Sequence, residues 1–136
     1  MKNETDLTNY PNFKDFVKRK DKYILDKDRN VIPADLLEWG EFLENTHDER
    51  IVNRTELNGL RVSTVFLGLD HGYPQWSGHT ENYKPKIFET MIFNGENPLD
   101  YCVRYSTWKE AEEGHQMAIQ WVIDGCIETD EEEDDL

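Results

Sequence analysis

The chain is poor in cysteine. Cys102 and Cys126 are the two among 136 residues, and no Cys-x-x-Cys or zinc-finger spacing exists, so neither a disulfide framework nor a zinc finger is expected. No apolar run reaches the roughly 18 residues of a membrane span. The start, MKNETDLTNY, has no apolar stretch of the secretory-signal type. The thiols are therefore expected to stay reduced, in a cytoplasm. A Gly-rich phosphate loop is missing, and Ser63-Thr64 and Ser106-Thr107 lack a nucleophile-elbow context. Asp26, Asp28 and Asn30 alternate as in a calcium loop, but the Gly and distal Glu of that motif are absent, so they read as a turn. No cofactor is implied. Basic residues are also short, with 15 Lys and Arg against 29 Asp and Glu and a net charge of −14. Such a chain is repelled by nucleic acid and by anionic lipid, and attracted to proteins with basic surfaces that bind those polyanions.

Aromatic residues, by contrast, are plentiful, with four Trp, six Tyr and six Phe. That argues against global disorder, and a chain of this length can bury roughly two-thirds of its unfolded surface around one core. The expected division is an N-terminal extension over 1–22, one domain over 23–125 and an acidic tail over 126–136. The stretch from Glu128 to Leu136 holds seven acids and no base, half of the net charge. It has no periodicity and is expected to be disordered. Its blandest role is solubility.

The pattern of elements points to an α+β fold: an antiparallel β-meander sheet with two to three helices packed on it. Asn12 is placed to cap a short helix with Phe13, Phe16 and Val17 inside. Tyr23 to Asp26 and Val31 to Ile32 flank a turn, which predicts a hairpin. Asp35 and Glu38 form a capping box ahead of Leu36, Trp39, Gly40 and Leu43, an apolar face widened by Leu37 and Phe42 and ending near Asn45. Arg50 to Leu57 and Leu60 to Leu69 are strands joined by Asn58-Gly59, a strong hairpin signal. Val62, Thr64 and Phe66 share one face of the second, Val65, Leu67 and Leu69 the other, which suggests a central strand covered by helix. The segment His71 to Lys86 contains Gly72, Pro74, Gly78 and Pro85 and reads as an irregular loop. Ile87 to Phe93 is a strand, broken by Asn94-Gly95 and Pro98, and Tyr101 to Tyr105 is a short one. Thr107 and Glu110 cap a helix from Trp108 to Asp124 with the stripe Trp108, Ala111, His115, Ala118 and Val122. Met117 and Trp121 should extend its contact with the sheet, and Gly125 should stop it.

Candidate chemistry gathers around four residues. Asp70-His71 ends a strand. The pair offers a general base or metal ligand, or simply a loop-capping carboxylate beside a surface imidazole. Glu89 lies on a strand in line with Ile87, Met91 and Phe93, where an ionised carboxylate needs a partner. Arg104 on the next strand is the natural one, and a catalytic acid with a raised pKa is the alternative. His115 sits on an apolar helical stripe, where a core imidazole satisfied by a hydrogen bond is the plain reading. If the helix brought it to Asp70, His71 and Glu89, the set could serve a small metal-assisted enzyme, with His71 and His115 as metal ligands. The loop carries a different chemistry. Tyr73, Trp76, His79 and Tyr83 stand among Gly and Pro as candidate partner-binding residues, since exposed aromatics anchor interfaces. Trp76 could instead fold back as a lid.

Three blocks, RVSTVFLGLDH (Arg61 to His71), FETMIF (Phe88 to Phe93) and RYSTWKEAEEGH (Arg104 to His115), stand out as a set. Together with the preceding KYILDKDRNVIPADLLEWGEFLE, they resemble a family of small uncharacterised proteins of tailed bacteriophages and prophages. The resemblance spans roughly Lys22 to Val122 and leaves the N-terminal extension and tail as additions. It implies a phage origin and action in the cytoplasm of a bacterial host, and it implies no activity. The expected function is protein–protein binding to a host or phage protein. Its sharpest form is inhibition of a nucleic-acid-handling or antiviral defence protein.

Overall fold

The computed structural model describes residues 21–70 and 83–125. The expected N-terminal helix, His71, Tyr73, Trp76, His79, Cys126 and the acidic tail lie outside the described residues. The rest is α+β, as expected, but its strands form two sheets rather than one meander. Strands β1 (Tyr23–Leu25) and β2 (Val31–Pro33) make a two-stranded hairpin, while β3 (Ile51–Leu57), β4 (Leu60–Phe66), β5 (Phe88–Asn94) and β6 (Asn97–Tyr105) make an antiparallel sheet in the order β3-β4-β5-β6. Helix α1 (Leu36–Asn45) follows the hairpin, and helix α2 (Trp108–Ile123) closes the described chain.

Local chemistry sets most boundaries. In the first hairpin the Asp26 carboxylate accepts the backbone N–H of Asp28 at 2.8 Å and of Asn30 at 2.9 Å, which turns the acidic alternation into an Asx-type turn. The Asn30 backbone donor is the largest cause holding the Asp26 pKa below its usual range. The capping box of α1 is complete: Glu38 N–H donates to Asp35 at 2.8 Å and Asp35 N–H donates to Glu38 at 3.0 Å. Asn58 and Gly59 adopt φ of 52° and 78°, the pair of positive values that a type I′ hairpin needs.

Strand β4 stops at Phe66 and does not run to Leu69. Gly68 turns the chain at φ 79°, where an added Cβ would approach Trp39 Nε1 to 3.0 Å. Leu69 then pairs with Lys22 outside the sheet. Strand β6 begins at Asn97, earlier than expected, because Pro98 lies on the sheet edge, where a missing N–H is tolerated.

Helix α2 lies across all four strands of the larger sheet. Its buried stripe is Ala111, Gly114, His115, Ala118 and Val122, set against Val62, Phe66, Phe88 and Ile92. Of the two residues expected to extend the contact with the sheet, Trp121 packs its ring on Tyr101 of β6 with centroids 5.1 Å apart while staying 45% exposed, and Met117 is 67% exposed. Leu37 does not widen the inner face of α1. It points outward at 82% exposure, while Leu36, Trp39, Phe42 and Leu43 are half-buried. The folded body also starts before Tyr23. Asp21 and Lys22, assigned above to an extension, are buried, and Lys22 C=O accepts the Ala34 N–H at 3.0 Å.

Candidate functional site

Three polar neighbourhoods contain Asp70, Tyr83, Glu89 and His115, the described residues among those singled out from the sequence, and they are separate. The first lies where β4 leaves the sheet. Asp70 is buried, its N–H donates to Asp21 C=O at 2.8 Å, and its carboxylate accepts the Lys86 backbone N–H at 2.8 Å and the Tyr83 hydroxyl. Asp70 thus ties the start of the His71-to-Lys86 segment to its end, which is the loop-capping reading. Beside it Lys22 Nζ meets Asp21 at 3.2 Å, with both side chains about 1% exposed. A buried pair of this kind must offset a desolvation penalty of several kcal/mol per ion. This pair has no counterpart in the sequence reading, since two charged residues ahead of a short strand look like a solvated extension. Tyr83, expected to contact a partner, spends its hydroxyl on Asp70.

The second neighbourhood is on the sheet face opposite α2. Glu89 and Arg104 are register partners, and Arg104 Nε donates to Glu89 Oε2 at 3.0 Å, the expected cross-strand ion pair. Cys102 Sγ donates to the same oxygen at 3.3 Å. Burial first, and then the Glu89 carboxylate, push the Cys102 pKa up, so this thiol is not an activated nucleophile.

The third is a buried hydroxyl–imidazole chain between α2 and the sheet. His115 is 0% exposed. Its Nε2 lies 2.9 Å from Thr55 Oγ1 and its Nδ1 2.7 Å from Thr64 Oγ1. Thr64 Oγ1 is 2.6 Å from Thr90 Oγ1, which also accepts the Tyr105 hydroxyl at 3.2 Å. The plain reading of His115 as a core group holds, with both ring nitrogens partnered rather than one. Burial alone lowers its pKa, so the neutral imidazole is the native form. Neutral imidazole matches the chain in either tautomer, because each threonine hydroxyl can donate in one direction and accept in the other. Thr64 and Thr90 are buried and Thr55 half-buried, so this hydroxyl–imidazole chain belongs to the packed layer between α2 and the sheet.

The sheet itself separates two members of the enzyme set: Thr90, next to Glu89, faces His115, whereas Glu89 faces the other way. Asp70 binds groups of its own loop. Among the described residues no group of three or more His, Cys, Asp and Glu is placed to hold a metal ion. No described helix is long and apolar enough to cross a membrane.

The exposed surface carries a further feature. On α1, Glu38, Glu41 and Glu44 are all exposed, the last turn holds no base, and Leu37 shares the outward face with Glu41 and Glu44 at i, i+4 and i+7. Glu38 serves the capping box, but like charges at helical spacing destabilise a helix slightly, so Glu41 and Glu44 are not explained by the fold.

Architecture therefore defines a small α+β protein with a helix-backed antiparallel sheet. A scan against protein-family models finds no match, and neither the curated proteins nor the solved structures contain a match.

Proposed function

We propose that the chain acts by binding another protein with a basic surface, and that the partner is a nucleic-acid-handling or antiviral defence protein of a bacterial host. The observation that carries this reading is the outward face of α1, where an 82% exposed Leu37 stands among Glu38, Glu41 and Glu44. An apolar anchor ringed by like charge suits a basic surface that already accommodates polyanions. The net charge of −14 would steer such an encounter. The resemblance to phage and prophage proteins supports the bacterial setting. In this reading Tyr73, Trp76 and His79 supply additional anchors, on a segment whose two ends are tied through Asp70 to Tyr83 and Lys86.

Affinity capture from a bacterial lysate, with the parent chain and a Glu41→Lys/Glu44→Lys variant that leaves the capping box intact side by side, tests the proposal. The parent should retain basic, nucleic-acid-handling proteins that soluble DNA displaces, and the variant should lose them. Equal capture by the two chains, or capture indifferent to DNA, would contradict it.

A further inference from the structure

The face of the larger sheet turned away from α2 gathers arginine in an acidic chain. We propose that this face is the docking site of the chain's own acidic C-terminal segment, Glu128 to Leu136, which rounds the hairpin end of the sheet and sets its carboxylates on Arg54 and Arg61. The proposal is independent of the partner of α1.

The pleat defines the face. Val62, Thr64 and Phe66 of β4 and Phe88, Thr90 and Ile92 of β5 are buried on the α2 side, so Arg61, Ser63 and Val65, with Glu89, Met91 and Phe93, point the other way. Thr55 reaches His115, so its neighbours Arg54 and Glu56 join the second face, as Cys102 and Arg104 do through Glu89. Both described helices meet the sheet on the first face, α2 at Val62 and Ile92 and α1 through Phe42 on Phe66. Val65, Met91 and Phe93 give the second a half-buried apolar floor.

Charge on that floor runs against the rest of the chain. Three of the six arginines stand there, Arg54, Arg61 and Arg104, against Glu56 and Glu89, in a protein of net charge −14. Arg104 is committed to Glu89 at 3.0 Å. The ion pairs among the described residues include neither Arg54 nor Arg61. Arg61 has Glu56 as its register partner, yet its guanidinium lies over the Phe93 ring, 4.9 Å from the centroid. A guanidinium stacked in this way keeps its planar edge for a carboxylate.

The segment beyond Gly125 fits by charge and by reach. Glu128 to Leu136 holds seven acids and no base. Helix α2 ends at Ile123, where Val122 packs with Leu60 beside the Asn58-Gly59 turn, and Gly125 at φ 73° leads the chain off the helix. Arg61 follows Leu60 and stands on the far face. The eleven residues 126–136 extend to at most about 36–40 Å, ample to round that turn. The helix end itself repels them, since its last turn holds no base, Asp124 is its C-cap and the dipole is negative there. A short tether holds them at an effective concentration on the order of millimolar, so weak ion pairs suffice. Docked there, the segment keeps other polyanions off the arginines.

Paramagnetic relaxation in the full-length chain tests the proposal. A nitroxide is attached at Asp134→Cys in a Cys102→Ser/Cys126→Ser background, and amide signals are compared before and after its reduction. At low salt the signals of Arg54, Arg61 and Phe93 should lose intensity, while Lys109 at the start of α2 stays sharp. The loss should vanish at about 1 M salt, where the Debye length is about 3 Å. It should also vanish in Arg54→Gln/Arg61→Gln, with the circular dichroism of the parent. Broadening centred elsewhere on the surface, or unchanged in the arginine variant, would overturn the proposal. Signals of the face left sharp by the label would overturn it too, and if a short single-stranded DNA shifts them instead, the face belongs to an external polyanion.

Discussion

Gly114→Ala is a sharp probe of how closely α2 approaches the sheet, because two opposing effects give it a definite sign. In a helix interior alanine is favoured over glycine by about 1 kcal/mol. Against that, a Cβ at Gly114 would run into Cε1, Cζ and the hydroxyl oxygen of Tyr105. The Tyr105 ring packs against the core of Phe66, Ile87, Phe88 and Ala111, and its hydroxyl donates to Thr90 at 3.2 Å. Moving it means overpacking at about 1–3 kcal/mol and loss of a hydrogen bond worth about 1 kcal/mol. The net expectation is a loss of about 1–3 kcal/mol, with Tm lower by roughly 4 °C or more. Urea unfolding followed by tryptophan fluorescence measures it, with the m-value unchanged. In a Tyr105→Ala background the obstacle is gone, and Gly114→Ala should become stabilising by up to about 1 kcal/mol. A stabilising effect in the parent would refute the close approach of helix to β6.

The hydroxyl–imidazole chain gives further tests. Thr64→Val strips a partner from His115 and from Thr90, and should cost about 1–3 kcal/mol. In a double-mutant cycle with His115→Leu the coupling should exceed about 0.5 kcal/mol, and additivity within that limit would count against the chain. The native His115 pKa is depressed by burial below its ordinary value of about 6.5. The unfolded chain therefore binds more protons between the two values. Stability is fully present above about 6.5 and falls with pH down to the native value, by at most about 1.4 kcal/mol per pH unit. Denaturant midpoints across that range should show the slope in the parent and not in His115→Gln. Asp70→Ala releases the Lys86 amide and the Tyr83 hydroxyl and should cost about 1–3 kcal/mol, with faster amide exchange at Lys86. Unchanged exchange there would remove the loop tie.

Much of the fold was legible because local rules and tertiary packing agree. Asn58-Gly59, the Asp35 capping box and the spacing of Ala111, His115, Ala118 and Val122 each specify their element without help from distant residues. Pro98 misled because a proline breaks an interior strand and not an edge strand, and edge position is a property of the whole sheet. Gly68 ended β4 early for a similar reason: its tight contact with Trp39 depends on where α1 docks. The Glu89–Arg104 pair was readable as a neutralising partner on the next strand, and the register bears it out. Asp21–Lys22 was not, because adjacent charges reveal nothing of their burial until Lys22 meets Leu69. Thr64 and Thr90 left a weak signal, as hydroxyls between apolar residues on core-facing positions, but only their shared register shows that they meet each other and His115.

Amide hydrogen exchange of the chain with and without its captured basic partner is the most direct test of the binding claim. Helix α1 buries no side chain fully, so its amides should exchange readily in the free protein. Protection on binding should concentrate at Leu36–Asn45 and disappear when Glu41 and Glu44 are reversed to lysine. Exchange across Leu36–Asn45 unchanged by a bound partner would contradict the account.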